Sequence, residues 1–154
     1  MAEQILLHGN CLSVGEFGVL LLGPPGSGKS DLALRLVDQP GCGISGALKY
    51  AQLVADDQVA VKLEGGQLIA SAPPAIAGRA EIRGLGIVNV SYRAQVVLAI
   101  AVQLTARQAI ERLPEIEKTR YEILGTSLPM VLIDAASASA PARIRAALDW
   151  IPRV

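Results

Sequence analysis

The 154-residue chain is long enough to bury a continuous core as one domain, and no second domain is expected within 1–154. Its 14 basic and 14 acidic residues balance, so no basic footprint points to nucleic acid or an anionic membrane surface. Hydrophobic residues make up 51% but aromatics only 3%, which predicts a core of Val, Leu, Ile and Ala, a sheet covered by helices, and no base-stacking platform.

Taken in order, Gln4 to Leu7 reads as a short strand ending at His8-Gly9-Asn10, and Cys11 to Val14 as another that turns at Gly15-Glu16 into the apolar strand Phe17 to Leu22. Helical spacing over Lys29 to Val37 predicts a helix that Pro40-Gly41 stops, with a glycine-rich loop following to Gly46. Ala51 to Ala55 is a strand that delivers Asp56-Asp57 at its end. Val59–Leu63 and Leu68–Ala70 flank Glu64-Gly65-Gly66-Gln67 as a β-hairpin. Ala75 to Gly78 predicts a turn of helix, and Ala80 to Val90 is an extended stretch interrupted by Gly84 and Gly86. Gln95 to Leu104 carries the longest strand signal, apolar enough to be buried on both faces at the centre of the sheet. Ala106 to Leu113 has helical character up to Pro114, Glu115 to Tyr121 reads as a charged, solvated stretch, and Leu128 to Ile133 as a further strand. A small-residue linker from Asp134 to Ala140 leads to a helix from Pro141 to Trp150 with the apolar stripe Ile144, Ala147 and Leu148. Cys11 and Cys42 lack CxxC spacing and nearby histidines, so they are expected to be buried or half-buried thiols. No basic segment precedes an apolar run at the N-terminus, and no uncharged run approaches the ~18 residues of a bilayer span. A cytoplasmic protein with no membrane partner is the expectation.

The stretch Gly23-Pro24-Pro25-Gly26-Ser27-Gly28-Lys29-Ser30 fits G-x-x-x-x-G-K-[ST] between a predicted strand and a predicted helix, the context this phosphate-cradling pattern requires. Glycines let successive backbone N–H groups face phosphate oxygens, and the helix presents its positive end to the same anion. Lys29 is expected to bridge the β and γ phosphates of ATP, and the Ser30 hydroxyl to ligate Mg²⁺. Two adjacent carboxylates suit phosphoryl transfer: one can hold the metal while the other takes the proton of an attacking hydroxyl. On the residues alone Asp56-Asp57 can equally be a solvated turn, His8 a strand-edge imidazole, and Glu81 with Arg83 a surface ion pair.

Taken together, His8-Gly9, Gly23 to Ser30, Leu53-Val54-Ala55-Asp56-Asp57-Gln58-Val59 and Glu81-Ile82-Arg83-Gly84-Leu85-Gly86-Ile87 resemble the catalytic domain of the bacterial HPr serine kinase/phosphorylase family, in a short form without the N-terminal domain of longer members. The resemblance implies an α/β phosphate-loop kinase domain similar to phosphoenolpyruvate carboxykinase, with a mixed sheet and flanking helices. It implies ATP and Mg²⁺ as cofactors, a serine of the phosphocarrier protein HPr as acceptor, and a homo-oligomer, hexameric in the family. By position Lys29 would neutralise the transferring phosphate, Ser30 and Glu81 would hold Mg²⁺, and Asp57 with Asp56 beside it would act on the serine hydroxyl. His8 matches the family's histidine near this carboxylate, and Arg112 its charge-stabilising arginine, although Pro114 stands where glycine is expected. The chain departs from the pattern elsewhere too, and the family's usual C-terminal helix is shortened or replaced. Ile133-Asp134-Ala135-Ala136-Ser137 replaces the Pro-Gly-Arg segment of members with strong phosphorylase activity, and Gly41 to Tyr50 is longer than the usual turn.

Two other readings of the residues remain: a small-molecule kinase of the ordinary phosphate-loop class, and an ATP-binding sensor module. The Glu81–Ile87 stretch and the acidic pair have no role in the first. The second needs only the loop and one metal ligand, not His8, Asp56, Asp57 and Glu81 together.

Overall fold

The computed structural model describes residues 3–151. A pair of parallel strands, β3 (Phe17–Leu22) and β9 (Gln95–Leu104), forms its spine, with Leu20 opposite Ala101. Both run apolar along their length, as strands covered on both faces must. On one face lie α1 (Lys29–Asp38) and α2 (Ala140–Trp150), packed on a core that includes Leu21, Leu32, Leu36, Ile100, Val102, Ile144 and Leu148. The opposite face, with Leu20, Leu22, Leu98 and Ala101, meets no helix. The sheet curls over it instead, bringing Val59, Val61, Leu68, Ile123 and Leu128 into a second core.

The curl follows from strand pairing. Outward from β3 lie β2 (Asn10–Val14) and then β4 (Ala51–Ala55), both antiparallel. On the far side β9 pairs antiparallel with β6 (Gln67–Ser71) through its first residues, and parallel with β11 (Thr126–Ile133) through its last. Beyond β6 come β5 (Gln58–Glu64) and β1 (Glu3–His8), and β10 (Arg120–Ile123) hangs on β11, giving nine strands in one sheet. A separate hairpin, β7 (Arg79–Ile82) with β8 (Gly86–Asn89), stands off this sheet.

The expected α/β class with a mixed sheet and flanking helices is what forms, and the central role of Gln95–Leu104 holds. Cys11 is buried and Cys42 half-buried. Burial pushes the Cys11 thiol well above its ordinary pKa range, because the thiolate would be desolvated there. One expectation fails. The helix expected over Ala106 to Leu113 is a single 3₁₀ turn at Arg107–Ala109. The segment is too short to nucleate unaided, and Leu113, which precedes proline and is 85% exposed, has no core to pack on. The stretch from Glu115 to Tyr121 is mostly exposed, as expected, but its last two residues open an unforeseen strand, β10, which turns at Leu124-Gly125 into β11 and buries Ile123.

The Gly41–Tyr50 insertion is a strap across α2. Gly41 pairs with Lys49 in an isolated antiparallel bridge, and the Lys49 ammonium meets the Asp149 carboxylate at 2.7 Å with both side chains largely buried. The Lys49 hydrogen bond, with the Ile44 N–H at 3.2 Å, holds the Asp149 carboxyl below its ordinary pKa. Arg145, only 2% exposed on the inner side of α2, donates to Lys49 O, Leu36 O and Gln39 O. Its guanidinium therefore fastens the strap to the end of α1, where the last carbonyls have no helical partner. Burial lowers its pKa from the ordinary value.

Candidate active site

The loop from Gly23 to Gly28 leaves the end of β3, and α1 begins at Lys29. Gly28 has φ +98°, a left-handed conformation that favours glycine, and a Cβ there would lie 2.9 Å from the Ala135 Cβ. The first N–H groups of α1 lack intrahelical partners and face the loop with the positive end of the helix dipole. Ser27 Oγ is, among the described residues, the one buried side-chain N or O atom with no hydrogen-bond partner. A free hydroxyl in the loop, beside the first N–H groups of α1, fits a phosphate. Lys29 Nζ donates to Gly23 O at 2.7 Å and Pro24 O at 3.1 Å, so its ammonium lies folded against the loop itself.

The acidic pair occupies a corner. The antiparallel pairing of β1 with β5 and of β2 with β4 makes each chain step from one part of the sheet to the next at the same place: one through Gly9, the other through Asp56-Asp57. The Gly9 N–H donates to Asp57 O at 3.0 Å, and a Cβ at Gly9 would stand 2.8 Å from Leu21 O of β3, so a larger residue there would force the backbone apart. Asp57 takes φ +69°, one of two non-glycine residues with positive φ among those described. Left-handed backbone is uncommon away from glycine, though Asp tolerates it better than most.

Asp56, half-buried, faces the loop. Its Oδ1 accepts from Asn10 Nδ2 at 2.8 Å and from Ser30 Oγ at 3.5 Å, and its Oδ2 from the Glu81 N–H at 3.0 Å. Asp57 faces outward, 67% exposed, with Oδ1 3.4 Å from His8 Nδ1. Ser30, Asp56 and Glu81 also line one small cleft between α1 and the β7–β8 hairpin. Segments more than 20 residues apart in sequence thus bring together His8, Lys29, Ser30, Asp56, Asp57 and Glu81.

No group of three or more His, Cys, Asp or Glu gathers as a metal cage among the described residues. A hard divalent ion such as Mg²⁺ keeps several waters and takes one or two protein oxygens together with phosphate oxygens. Ser30 Oγ and Asp56 fit that role most directly. Glu81 is beside them, held by its backbone rather than its carboxylate.

Arg112 is not brought to this corner. It is exposed and lines a cavity of about 510 Å³ between α2, β11 and the turns after β9, with Met130, Ile133 and Trp150. The segment Ile133–Ser137 carries no cation of its own, yet one reaches it: Arg35 of α1 donates to Ala135 O and Ser137 O while pairing with Asp31 at 3.0 Å. Asn10, 1% exposed at the start of β2, is the site residue that sequence reasoning passed over. Its position directly after His8-Gly9 was the only available sign.

The model for the HPr Serine kinase C-terminal domain matches residues 1–148. The chain belongs to this family. It is 33% identical over 150 residues to an HPr kinase/phosphorylase of Chromobacterium violaceum and 34% identical over 144 residues to one of Brevibacillus brevis. These alignments take in 89% and 86% of the chain but 44% and 43% of the relatives, so it spans less than half their length. Among solved structures, the Hpr(Ser) kinase/phosphatase of Coxiella burnetii superposes with a TM-score of 0.76 at 28% identity, over 94% of this chain and 88% of that one. Family membership accounts for the fold. Among the described residues no helix is long and apolar enough to cross a membrane.

Proposed function

We propose that this domain is a cytoplasmic ATP- and Mg²⁺-dependent protein kinase that phosphorylates a serine of HPr. The observation that carries the reading is the division of labour at the corner: Asp56 turned in toward Ser30 and the loop, Asp57 turned out to solvent on the adjacent residue. A nucleotide-binding module needs the inward half only. The outward carboxylate is paired with His8 and more than half exposed, which supports its reading as the group that meets a hydroxyl on another protein.

In this reading the loop N–H groups and the α1 terminus bind the nucleotide phosphates. Lys29 moves off Gly23 O and Pro24 O to neutralise the phosphoryl group in flight. Ser30 and Asp56, with Glu81 near them, hold Mg²⁺, which supplies charge neutralisation and fixes the phosphate oxygens. Asp57 accepts the serine proton, and His8 orients its carboxylate. Arg112, lining a separate cavity, has no assigned part in this step. With no cation of its own in Ile133–Ser137, the chain is expected to favour phosphorylation over the phosphate-driven reverse reaction.

The test is incubation with ATP, Mg²⁺ and HPr from the same cell, followed by mass analysis. One phosphoserine per HPr is expected, and removal of Mg²⁺ abolishes it. Absence of transfer by a protein with verified ATP binding overturns the reading.

A further inference from the structure

The Asn10 side chain hydrogen-bonds to both members of the acidic pair. Its Nδ2 donates to Asp56 Oδ1 at 2.8 Å, and its Oδ1 accepts the Asp57 backbone N–H at 3.3 Å. With 1% of its surface exposed, it sits beneath the corner rather than in the cleft. The neighbouring Gly9 N–H holds Asp57 O, so residues 9 and 10 clamp the N–H and C=O of the one aspartate whose backbone, among the described residues, is left-handed.

A side-chain amide is the neutral group of this size that can do both jobs, donating to a carboxylate and accepting from an N–H with one planar group. Leucine would fill the volume and do neither. Aspartate would accept from Asp57 but face Asp56 with a second negative charge. A buried asparagine also has an ordinary explanation, satisfying polar groups where strands cross. That role fixes stability alone, whereas the Asn10 amide bonds the same Asp56 oxygen that Ser30 approaches.

We propose that Asn10 is a positioning residue of the phosphoryl-transfer site: it sets the carboxylate plane of Asp56 toward Ser30 and the metal, and holds Asp57 in the left-handed conformation that turns its carboxylate outward. This rests on the kinase reading above. Outer-shell partners of ligating carboxylates typically change metal affinity or activity by about 10- to 100-fold, and the same range is expected here.

The experiment compares wild type with Asn10→Leu, Asn10→Asp and Asn10→Ser, each assayed at least ten degrees below its own melting temperature. Two readouts are taken: transfer to HPr, as kcat and KM, and ATP affinity by calorimetry with and without Mg²⁺. In Asn10→Leu, kcat falls about 10- to 100-fold with little change in KM for HPr, and the Mg²⁺-dependent gain in ATP affinity shrinks while Mg²⁺-free affinity stays within about twofold. Asn10→Ser, which keeps a donor for Asp56 but cannot span to Asp57, restores part of the loss. Asn10→Asp, closest in shape, is no better than Asn10→Leu. If the folded variants keep wild-type kcat and Mg²⁺ dependence and differ only in melting temperature, Asn10 is structural and the proposal falls. Should wild type itself fail to phosphorylate HPr, the kinase reading fails separately, and the Mg²⁺-dependent ATP affinity of Asn10→Leu still decides whether Asn10 orients Asp56. Should Asn10→Asp not fold, the comparison of Asn10→Leu with Asn10→Ser decides between the two roles.

Discussion

Replacing Arg145 by methionine tests the strap. The substitution keeps an unbranched apolar stem but removes the guanidinium, whose Nε donates to Lys49 O at 2.9 Å and whose second terminal nitrogen donates to Leu36 O at 3.2 Å and Gln39 O at 2.8 Å. A buried polar group left without its partner costs about 1–3 kcal/mol. Leu36 is fully buried, so its carbonyl bears the larger cost, whereas Gln39 is exposed and Lys49 half-buried, and water can reach their carbonyls in part. The sum is about 3 kcal/mol. For a domain of this size each kcal/mol moves the melting temperature by about 2–4 °C, which predicts a fall of roughly 6–12 °C. Urea denaturation gives the free energy directly: the midpoint should drop while the slope is unchanged. Since Arg145 contacts none of the site residues, phosphoryl transfer measured well below the new melting temperature should stay near wild type. A stability loss below about 1 kcal/mol would refute this account of the insertion, and a selective loss of transfer would show that the strap belongs to the site.

Three further outcomes are expected. Asp57→Asn should lower kcat by about 10²- to 10⁴-fold, the usual cost of a missing base, with Mg²⁺-ATP affinity unchanged by calorimetry; a variant within tenfold of wild type would remove Asp57 from that role. Gly28→Ala forces a left-handed φ of +98° on a residue with a Cβ and presses it to 2.9 Å from Ala135, so nucleotide affinity should fall while circular dichroism keeps the native fold; unaltered affinity would mean that the loop conformation shown is not the one that binds. Asp149 has its pKa depressed chiefly by the Lys49 hydrogen bond, so its contribution to stability is complete above the ordinary aspartate value of about 3.9 and is lost as pH falls through the lowered folded value. Thermal melts from pH 6 downward should therefore show a shallower acid decline in Asp149→Asn than in wild type, and equal slopes would count against the pairing.

Much of the site was legible because its parts are local words. The phosphate loop declares itself in eight consecutive residues, since curling the backbone and presenting N–H groups demand glycine at set intervals, and the flanking strand and helix follow from apolar spacing. Asp56-Asp57 could be placed at a strand end for the same reason, but not given their opposite orientations. Those depend on the left-handed backbone of Asp57, which is set by Gly9 and Asn10 from 47 or 48 positions away. The misread segments lie after Leu104: Ala106–Leu113 has a helical pattern but no face to bury, and the strand at Arg120–Ile123 owes its existence to β11 across the turn.

By itself, then, the sequence determined that Gly23–Ser30 is a glycine-rich loop of the phosphate-cradling pattern between a strand and a helix, that the core is a Val- and Leu-rich sheet with Gln95–Leu104 at the centre, and that the acidic pair follows a strand. Tertiary structure alone decided which carboxylate faces the loop, that Asn10 bridges the pair, that Arg112 lines another cavity, and that the unexplained insertion is tied down by Arg145 and Asp149. The physical reason is range. Glycine conformations, caps and apolar periodicity act within a few residues and can be read along the chain, whereas a side chain's hydrogen-bond partner is chosen by which strands the sheet places side by side.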